Sequence, residues 1–307
     1  MSGRLVHTGQ VVVDLVMRVP HLPQPGGDVL ASRKTLLPGG GFNVMAAAAR
    51  SGARVVYAGS HGTGVFGDLV RAALAVEGIE VAHPAGEDDD TGVVVALVDD
   101  DGERTFVTGT GAEGALDVDR LAAVAVDETD LVYVSGYSLL HPSNHAALLA
   151  WLPTRSGARV LFDPGPLVVD IPAEVLSAVD LLSCNASEAR KITGEADVNT
   201  AITALAKRLP QDSTVLVRDG ASGCLVHRDD QTVVTPAFPV RPVDTNGAGD
   251  THCGVLAAEL LRGTPLDVAA LRANAAAALS VTRHGPATAP TRSEIDELTL
   301  SEMTRFR

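Results

Sequence analysis

Beyond residue 130 the chain alternates between short β-branched segments and segments of helix-forming composition. We predict strands at 131–135, 159–163, 181–184 and 214–218, and helices at 144–152, 187–193 and 200–209. Strands that are spaced by helical segments indicate βαβ units, in which each connection crosses over the sheet. The pattern therefore predicts an α/β fold of three layers, with a mostly parallel central sheet flanked by helices on both faces.

The first part of the chain begins in the same way. Residues 6–16 form a β-branched run that predicts one buried strand, with Asp14 near its tip. An alanine-rich helix is predicted over 43–52, and a strand at 54–58 followed by a helix at 67–77 adds another β-α unit. A buried strand rarely tolerates an acid without a purpose, so Asp14 is a candidate functional residue.

Two segments do not fit this alternation. Residues 18–38 are irregular and rich in proline and glycine, with a short alternating stretch at 29–32 that predicts edge-strand material. Segments 93–98 and 104–108 flank the turn at 99–102, which predicts a hairpin that pairs with the irregular segment. We therefore expect a small β-sheet outside the main core.

Composition excludes several classes of function. The chain has 307 residues, 46% of them hydrophobic, and a formal net charge of −14, so we expect one large core, a single domain over 1–307, and no nucleic-acid partner. No stretch approaches the roughly 18 apolar residues of a membrane span, and the N-terminus lacks a secretory core, so we expect a cytoplasmic protein without a membrane partner. The three cysteines form no CxxC pair, which argues against a disulfide framework or a zinc site.

The most specific motif is Asn246-Gly247-Ala248-Gly249-Asp250. Its small residues leave backbone N–H groups unobstructed, and a helix is predicted to begin directly after them. A helix N-terminus combines unpaired N–H donors with a partial positive charge, which suits a transferring phosphoryl group. In the first turn, Asp250 can accept a proton from an attacking hydroxyl group while the amides hold the phosphoryl oxygens. Taken alone, Asp250 can also be interpreted as an ordinary helix cap.

Two further motifs are less specific. Gly39-Gly40-Gly41-Phe42-Asn43 also runs from glycines into a helix, but ~20 residues of irregular chain separate it from the first strand, so it does not fit the dinucleotide-binding fingerprint. Asn185 and Glu188 follow a strand and lie three residues apart, so they can share one helix face and hold a hydrated cation. The alternative is an Asx turn with a capping glutamate.

Together these motifs resemble those of the PfkB/ribokinase family of carbohydrate kinases, over residues 6–288. The signature regions are 39–52 and 244–251, of which the second is the more specific. Shorter family-like pieces occur at Asp14, 62–67, 163–164, 185–188, 219–223, 274–278 and 283–285. The resemblance implies a ribokinase-like fold in which the small β-sheet, about 15–38 and 88–112, forms a lid over the substrate.

The resemblance also implies roles for individual residues. Asp250 is similar to the catalytic base of the family, and its anion hole corresponds to Gly247, Ala248 and Gly249. The positions that contact substrate hydroxyl groups match Asp14, Gly40, Gly41 and Asn43.

Cofactor positions are implied in the same way. The resemblance implies ATP, bound near Asn185, Asp219, Gly220, Gly223 and Asn274, and Mg²⁺, organised by Asn185 and Glu188. Several family members also hold a monovalent cation such as K⁺, at positions that match Asp244 and Thr245 together with the turn at 283–285.

The chain departs from the family pattern at two positions. Many ribokinase-like enzymes have lysine where Gly41 stands, and aspartate where Gly64 stands. Loss of the lysine removes a partner for a phosphate already on the substrate, so we expect an unphosphorylated sugar. Arg218 has two interpretations, a replacement phosphate contact or a surface charge at a strand end.

The sequence therefore predicts a sugar kinase that transfers the γ-phosphate of ATP to a hydroxyl group, in particular a hydroxymethyl group, of a small sugar. The alternatives are a nucleoside kinase of the adenosine or pseudouridine type and a non-catalytic nucleotide-binding protein. Asp250 argues against the latter, because a binding module needs no base. Open strand edges on the lid sheet predict a homodimer through the lid.

Overall fold

The computed structural model describes residues 3–305 and contains two separate β-sheets. The larger has nine strands, here numbered along the chain together with those of the smaller sheet: β1 (Arg4–His7), β4 (Arg54–Tyr57), β5 (Glu80–Val81), β8 (Leu131–Ser135), β9 (Arg159–Asp163), β10 (Leu181–Asn185), β11 (Thr214–Arg218), β12 (Cys224–Arg228) and β13 (Gln231–Thr235). Their order is β13-β12-β11-β10-β9-β8-β1-β4-β5. Only the β11-β12-β13 end is antiparallel, which confirms the mostly parallel sheet.

The smaller sheet has four strands in the order β3-β2-β6-β7. They are β2 (Val11–Arg18), β3 (Arg33–Gly40), β6 (Val93–Val98) and β7 (Arg104–Gly109). The β6-β7 hairpin is present as predicted, but it pairs with β2 and not with the segment after residue 18.

Helices cover both faces of the larger sheet. They are α1 (Gly41–Arg50), α2 (Val65–Val76), α3 (Val118–Ala123), α4 (Gly136–Leu139), α5 (Pro142–Trp151), α6 (Ala173–Leu176), α7 (Ala186–Thr193), α8 (Val198–Ala206), α9 (Ala248–Leu261), α10 (Leu266–Ser280) and α11 (Arg292–Arg305). Residues of α1, α2, α9 and α10 form the buried cluster on one face, and residues of α3, α5, α7 and α8 form the cluster on the other. The predicted three-layer fold is therefore confirmed. Within residues 3–305, no helix combines the length and the apolar character that crossing a bilayer requires.

Two strand predictions in the first part of the chain are wrong. The run at 6–16 is two strands, because the chain leaves the larger sheet at residues 8–10 and enters the smaller one as β2. Only four residues separate Val6 of β1 from Val11 of β2, so the two strands can be mistaken for one run. Asp14 therefore lies within β2 and not at the tip of a strand in the larger sheet. The stretch at 29–32 is not a strand either, since β3 begins at Arg33.

The close packing of α1 against α9 determines where both glycine-rich motifs lie. Ala46, Ala47 and Ala48 of α1 are fully buried. At Gly254 of α9, an added Cβ would lie 2.3 Å from the carbonyl oxygen of Val44 and 2.7 Å from the Cβ of Ala47. Only small residues allow this approach, which brings the N-termini of the two helices together.

We predict that Gly254→Ala destabilises the protein by about 1–3 kcal/mol, because the new methyl group forces α1 and α9 apart. Thermal or urea unfolding followed by circular dichroism measures the change. Gly86→Ala is the matched control, since a Cβ there has no neighbour closer than 3.7 Å. Equal losses in the two variants would contradict the helix-packing argument.

Candidate active site

Two residues that are 207 positions apart meet where α1 and α9 begin. Asn43 Nδ2 donates a hydrogen bond of 2.9 Å to Asp250 Oδ2. Each is the third residue of its helix, and each helix begins after a glycine with positive φ, Gly40 at 60° and Gly247 at 74°. At Gly247 a Cβ would lie 2.2 Å from the carbonyl oxygen of Pro286, so glycine is required there for space as well as for conformation. The two glycine-rich motifs thus form one site.

Two cavities meet at this site. The first, which we call the sheet cavity, has a volume of about 120 Å³ and lies between one face of the smaller sheet, including Asp14, and residues 284–286. The second, the loop cavity, has a volume of about 610 Å³ and is lined by residues 245–250 together with Asn185, Glu188 and Arg218. Asn246 lines both cavities. The arrangement provides two adjoining compartments, with Asp14 in one and Asp250 in the other.

Both of these carboxylates have raised pKa values. Burial is the main cause for Asp250, and the nearby charge of Asp163 adds to it, so that the pKa reaches about 6 even though Asn43 and Arg218 lower it. Burial also raises the pKa of Asp14 to about 6, with a contribution from the charge of Asp250. At neutral pH most of the Asp250 side chains are ionised and can accept a proton, and a pKa close to the working pH suits a general base.

Arg218 lies inside the site and not on the surface, so its interpretation as a surface charge is wrong. Its side chain is 13% exposed, and Nη1 lies 3.1 Å from Asp163 Oδ2 and 3.0 Å from the carbonyl oxygen of Gly249. Nη2 lies 3.8 Å from Glu188 Oε2. Arg218 therefore brings a positive charge to the wall of the loop cavity and holds the loop before α9 in place. Of its two interpretations from the sequence, the replacement phosphate contact stays a prediction.

Asn185 and Glu188 form a capping box at the start of α7. Asn185 Oδ1 accepts from the Glu188 amide at 2.9 Å, and Glu188 Oε2 accepts from the Asn185 amide at 2.8 Å. The capping interpretation is thus confirmed, yet both side chains also line the loop cavity. Burial is the main cause of a raised pKa at Glu188, with a contribution from Asp163.

The comparisons with known proteins agree with this geometry. Residues 3–292 match the pfkB family carbohydrate kinases. The chain belongs to this family. An uncharacterised sugar kinase of Escherichia coli is 32% identical, with 96% of this chain and 98% of the relative covered. A ribokinase of Haemophilus influenzae is 30% identical, with 96% and 97% covered. The fold also matches the Arabidopsis thaliana ribokinase complexed with ribose and ATP, with a TM-score of 0.79, 24% identity and coverage of 97% of this chain and 99% of that one.

Four of the five predicted nucleotide positions do not line the loop cavity. Asp219, Gly220 and Gly223 form a turn directly after Arg218, in which the Asp219 amide donates to the Gly223 carbonyl group at 2.8 Å. Asn274 is buried, and its Nδ2 donates to the carbonyl oxygens of Thr235 and Pro236 at 3.1 and 3.0 Å. The turn and Asn274 are close neighbours, because a Cβ on Gly223 would lie 2.1 Å from the same Thr235 oxygen. The structure thus groups these four residues beside the loop cavity.

The glycine at position 41 has a structural explanation. A Cβ at this position would lie 2.1 Å from Cε1 of His7 and 2.8 Å from the carbonyl oxygen of Gln10. The His7 ring is fully buried and stacks on Tyr133, with ring centroids 4.8 Å apart. No lysine fits at position 41 while His7 and Gln10 are in place. Sequence reasoning gave Gly41 as a substrate-binding position that lacks the lysine of many relatives, and it missed this packing.

The second departure, Gly64, is explained by a residue of the segment before β6. Gly64 has a φ of 114°, and a Cβ on it would lie 2.6 Å from the side chain of Asp90. Asp90 accepts hydrogen bonds from the amides of Phe66 and Gly67 at 3.0 and 2.7 Å. Asp90 therefore caps the start of α2 from a distant part of the chain, and the space that a side chain at position 64 would need is filled.

Asp244, the candidate ligand for a monovalent cation, is already surrounded by donors. Its Oδ1 accepts from the Asn246 amide at 2.9 Å and from the guanidinium group of Arg104, and its Oδ2 accepts from the Gly285 amide at 3.1 Å. Burial would raise the pKa of Asp244, but the two amides and Arg104 outweigh it and lower the pKa. The structure brings the loop and the turn at 283–285 together as predicted, but this donor set does not fit a cation, because a guanidinium group occupies the side of Oδ1. Thr245 lines the loop cavity.

Three arginines lie in one row across the smaller sheet. The register places Arg33 opposite Arg18, Arg18 opposite Val98, and Val98 opposite Arg104. All four residues line the sheet cavity. Among the described residues, Arg104 has an ion-pair partner in Asp244, whereas neither Arg18 nor Arg33 is paired with a carboxylate. Like charges directly opposite one another in a sheet are destabilising, so the outer end of the sheet cavity carries a concentration of positive charge.

We predict that Asp250→Asn makes the folded protein more stable at neutral pH. The pKa of about 6 is above the ordinary 3.8, so between about pH 4 and about pH 6 the carboxyl group ionises in the unfolded chain while it stays protonated in the folded protein. The wild-type protein therefore loses stability over this pH range. The neutral amide of the variant avoids this loss. Its free energy of unfolding should therefore exceed that of the wild type by on the order of 1–3 kcal/mol at pH 7.5, and the difference should disappear near pH 4.

Urea unfolding at both pH values measures this gain. Asp212→Asn is the control, because Asp212 is exposed in the turn before β11. If Asp250→Asn is no more stable than the wild type at pH 7.5, the buried carboxylate of Asp250 does not destabilise the folded protein, which would contradict the prediction.

Proposed function

We propose that this carbohydrate kinase transfers the γ-phosphate of ATP to a hydroxyl group, in particular a hydroxymethyl group, of a small unphosphorylated sugar, with Asp250 as the general base. The observation that carries the proposal is the position of Asp250, which lies at the N-terminus of α9, lines the loop cavity and accepts a hydrogen bond from Asn43 at the start of α1. The matches to proteins named sugar kinase and ribokinase, one of them complexed with ribose and ATP, support it.

The sugar would lie in the sheet cavity, against Asp14 and Asn43. A carboxylate accepts and an amide donates in fixed directions, which suits a polyol without aromatic stacking. Gly40 and Gly41 allow the backbone to approach the substrate closely, since they carry no side chains. The smaller sheet would act as the lid that excludes water from this cavity, because one of its faces forms a cavity wall.

Phosphoryl transfer would take place across the start of α9. Asp250 takes the proton of the attacking hydroxyl group, and the amides of Gly247, Ala248 and Gly249 hold the phosphoryl oxygens. Arg218, which contacts the Gly249 carbonyl group, adds positive charge near the same oxygens. Because the transition state of phosphoryl transfer is loose, alignment and neutralisation of charge contribute more than a strong base.

Mg²⁺ and the phosphates of ATP would be held in the loop cavity. Glu188 fits a magnesium site because only one of its carboxylate oxygens is used in the capping box, and magnesium needs only one or two protein carboxylates beside water and phosphate oxygens. When bound, Mg²⁺ would neutralise charge on the phosphates. Asn185 and Glu188 would hold it and the phosphates, and the remainder of the nucleotide would lie by the turn of Asp219, Gly220 and Gly223 and by Asn274.

An acceptor that carries a phosphate or carboxylate group is the second candidate. The observation that favours it is the pair Arg18 and Arg33, which face each other at the outer end of the sheet cavity and have no acidic partner within the part of the chain that the structure describes. Arginine binds both anions through its planar pair of donors. Arg18 and Arg33 would then bind the anionic group of the acceptor from another side of the cavity, in place of the lysine that is missing at position 41.

We predict saturable release of ADP from ATP and Mg²⁺ with one unphosphorylated pentose or ketose. Coupled ADP release measured over neutral sugars, sugar acids, sugar phosphates and nucleosides tests this prediction. Turnover of anionic sugars alone would favour the second candidate, and turnover of nucleosides alone would contradict both.

Asp250→Asn is the control within that experiment. It should lose at least ~10³-fold in kcat and retain ATP binding, because the base acts on the acceptor and not on the nucleotide. Comparable turnover in this variant would contradict the role of Asp250.

We also propose that the protein forms a homodimer through the smaller sheet. The face that points away from the sheet cavity carries an apolar row in register, which consists of Leu36, Leu15, Val95 and Val107. Val107 is 62% exposed and Leu36 is 39% exposed. We predict a dimer mass in light scattering at micromolar concentration, and a monomer for Val107→Glu, whose charge would be buried in the interface. A monomeric wild-type protein would contradict the proposal.

A further inference from the structure

The guanidinium group of Arg104 contacts Oδ1 of Asp244, the residue that matches the monovalent-cation position of the family. We propose that the guanidinium group of Arg104 takes the place of the monovalent cation in this chain, so that the kinase needs no K⁺. The kinetic part of this inference rests on the proposed function, whereas the ion-binding part does not.

The carboxylate of Asp244 has little capacity left for a cation. A carboxylate offers about four acceptor positions, and three of them are used, by Arg104, the Asn246 amide and the Gly285 amide. All three partners are donors, and Arg104 also carries a full positive charge. A potassium ion at Oδ1 would have to displace the guanidinium group or lie beside a like charge in a place where Asp244 is only 15% exposed.

Asp244 needs a positive partner because of where it lies. It begins the loop that continues through Asn246 to the three residues of the proposed anion hole, and it fixes this loop by accepting from the Asn246 amide. A half-buried carboxylate without a counter-charge would repel the phosphates that the loop is proposed to bind. A guanidinium group removes that repulsion as a bound cation would, and it remains charged at every pH at which the protein is folded.

The source of this charge is the smaller sheet. Arg104 is the first residue of β7 and lies 140 positions before Asp244. Among residues 3–305, Asp244 is the carboxylate with which it forms an ion pair. A free cation would reach the loop from solvent. Arg104 belongs to the smaller sheet, so it can contact the loop only when this sheet lies over the sheet cavity. The charge of Asp244 is therefore neutralised when the sheet is in the position seen here.

The first test compares salts at constant ionic strength. With the acceptor found in the panel, the wild-type kcat/KM should agree within twofold in potassium, sodium and choline chloride. Arg104→Ala should lose at least tenfold in choline chloride and recover most of it in potassium chloride, because removal of the side chain opens the site to the ion. Arg104→Lys should need no potassium, since it keeps a positive charge. Arg228→Ala, at the exposed end of β12, is the control and should behave as the wild type.

The second test needs no substrate. Thallous ion, a heavy substitute for potassium, should give no anomalous-scattering peak beside Asp244 in wild-type crystals and a clear peak in crystals of Arg104→Ala. In thermal unfolding, potassium should stabilise Arg104→Ala more than choline does, and should not do so for the wild type.

Three results would overturn the inference. The first is a tenfold potassium requirement of the wild type, the second is a thallium peak at its Asp244, and the third is a folded Arg104→Ala whose lost activity no salt restores. If no compound in the panel is phosphorylated, the proposed function fails, and the thallium and unfolding experiments still decide the inference.

Discussion

The close approach of α1 and α9 is the constraint on which the rest of the site depends. Both helices point their N-termini at the same place, and they can do so only because Gly254 and the alanines of α1 leave no side chain between the two backbones. The hydrogen bond from Asn43 to Asp250 follows from this packing. A site assembled from both ends of the sequence is thus held by helix packing in the core and not by flexible loops, which favours precise placement of the reacting groups.

The balance between buried carboxylates and arginines is the second feature on which the site depends. The site collects Asp14, Asp163, Glu188 and Asp250 in a protein that is already strongly acidic. Burial raises the pKa values of Asp14, Glu188 and Asp250. Two arginines from opposite sides offset this excess at the loop before α9: Arg218 contacts the carbonyl group of Gly249, and Arg104 contacts Asp244. The carboxylates that can serve proton transfer are therefore in place before any ligand binds. The same is true of the arginines that can attract phosphate.

The fold and the positions of the motifs could be predicted from the sequence because they rest on local patterns. Alternating strands and helices predict the layers, and glycines before a helix predict the loop at Asp250. The change of sheet at residues 8–10 was not predicted, because the four-residue β1 was joined to the valine-rich β2 as a single run. The contacts of Asp90 with α2 and of Arg104 with Asp244 were also missed, since each joins distant segments through a single side chain that no periodicity marks.

The packing around Gly41 limits how this protein can change during evolution. The ring of His7 and the carbonyl group of Gln10 close the space next to Gly41, so a mutation that introduces lysine there is harmful for as long as they remain. A lineage must first replace His7 and shift the link between β1 and β2 before lysine becomes acceptable. The order of substitutions in this chain is therefore constrained, because the space at position 41 opens only after its neighbours have changed.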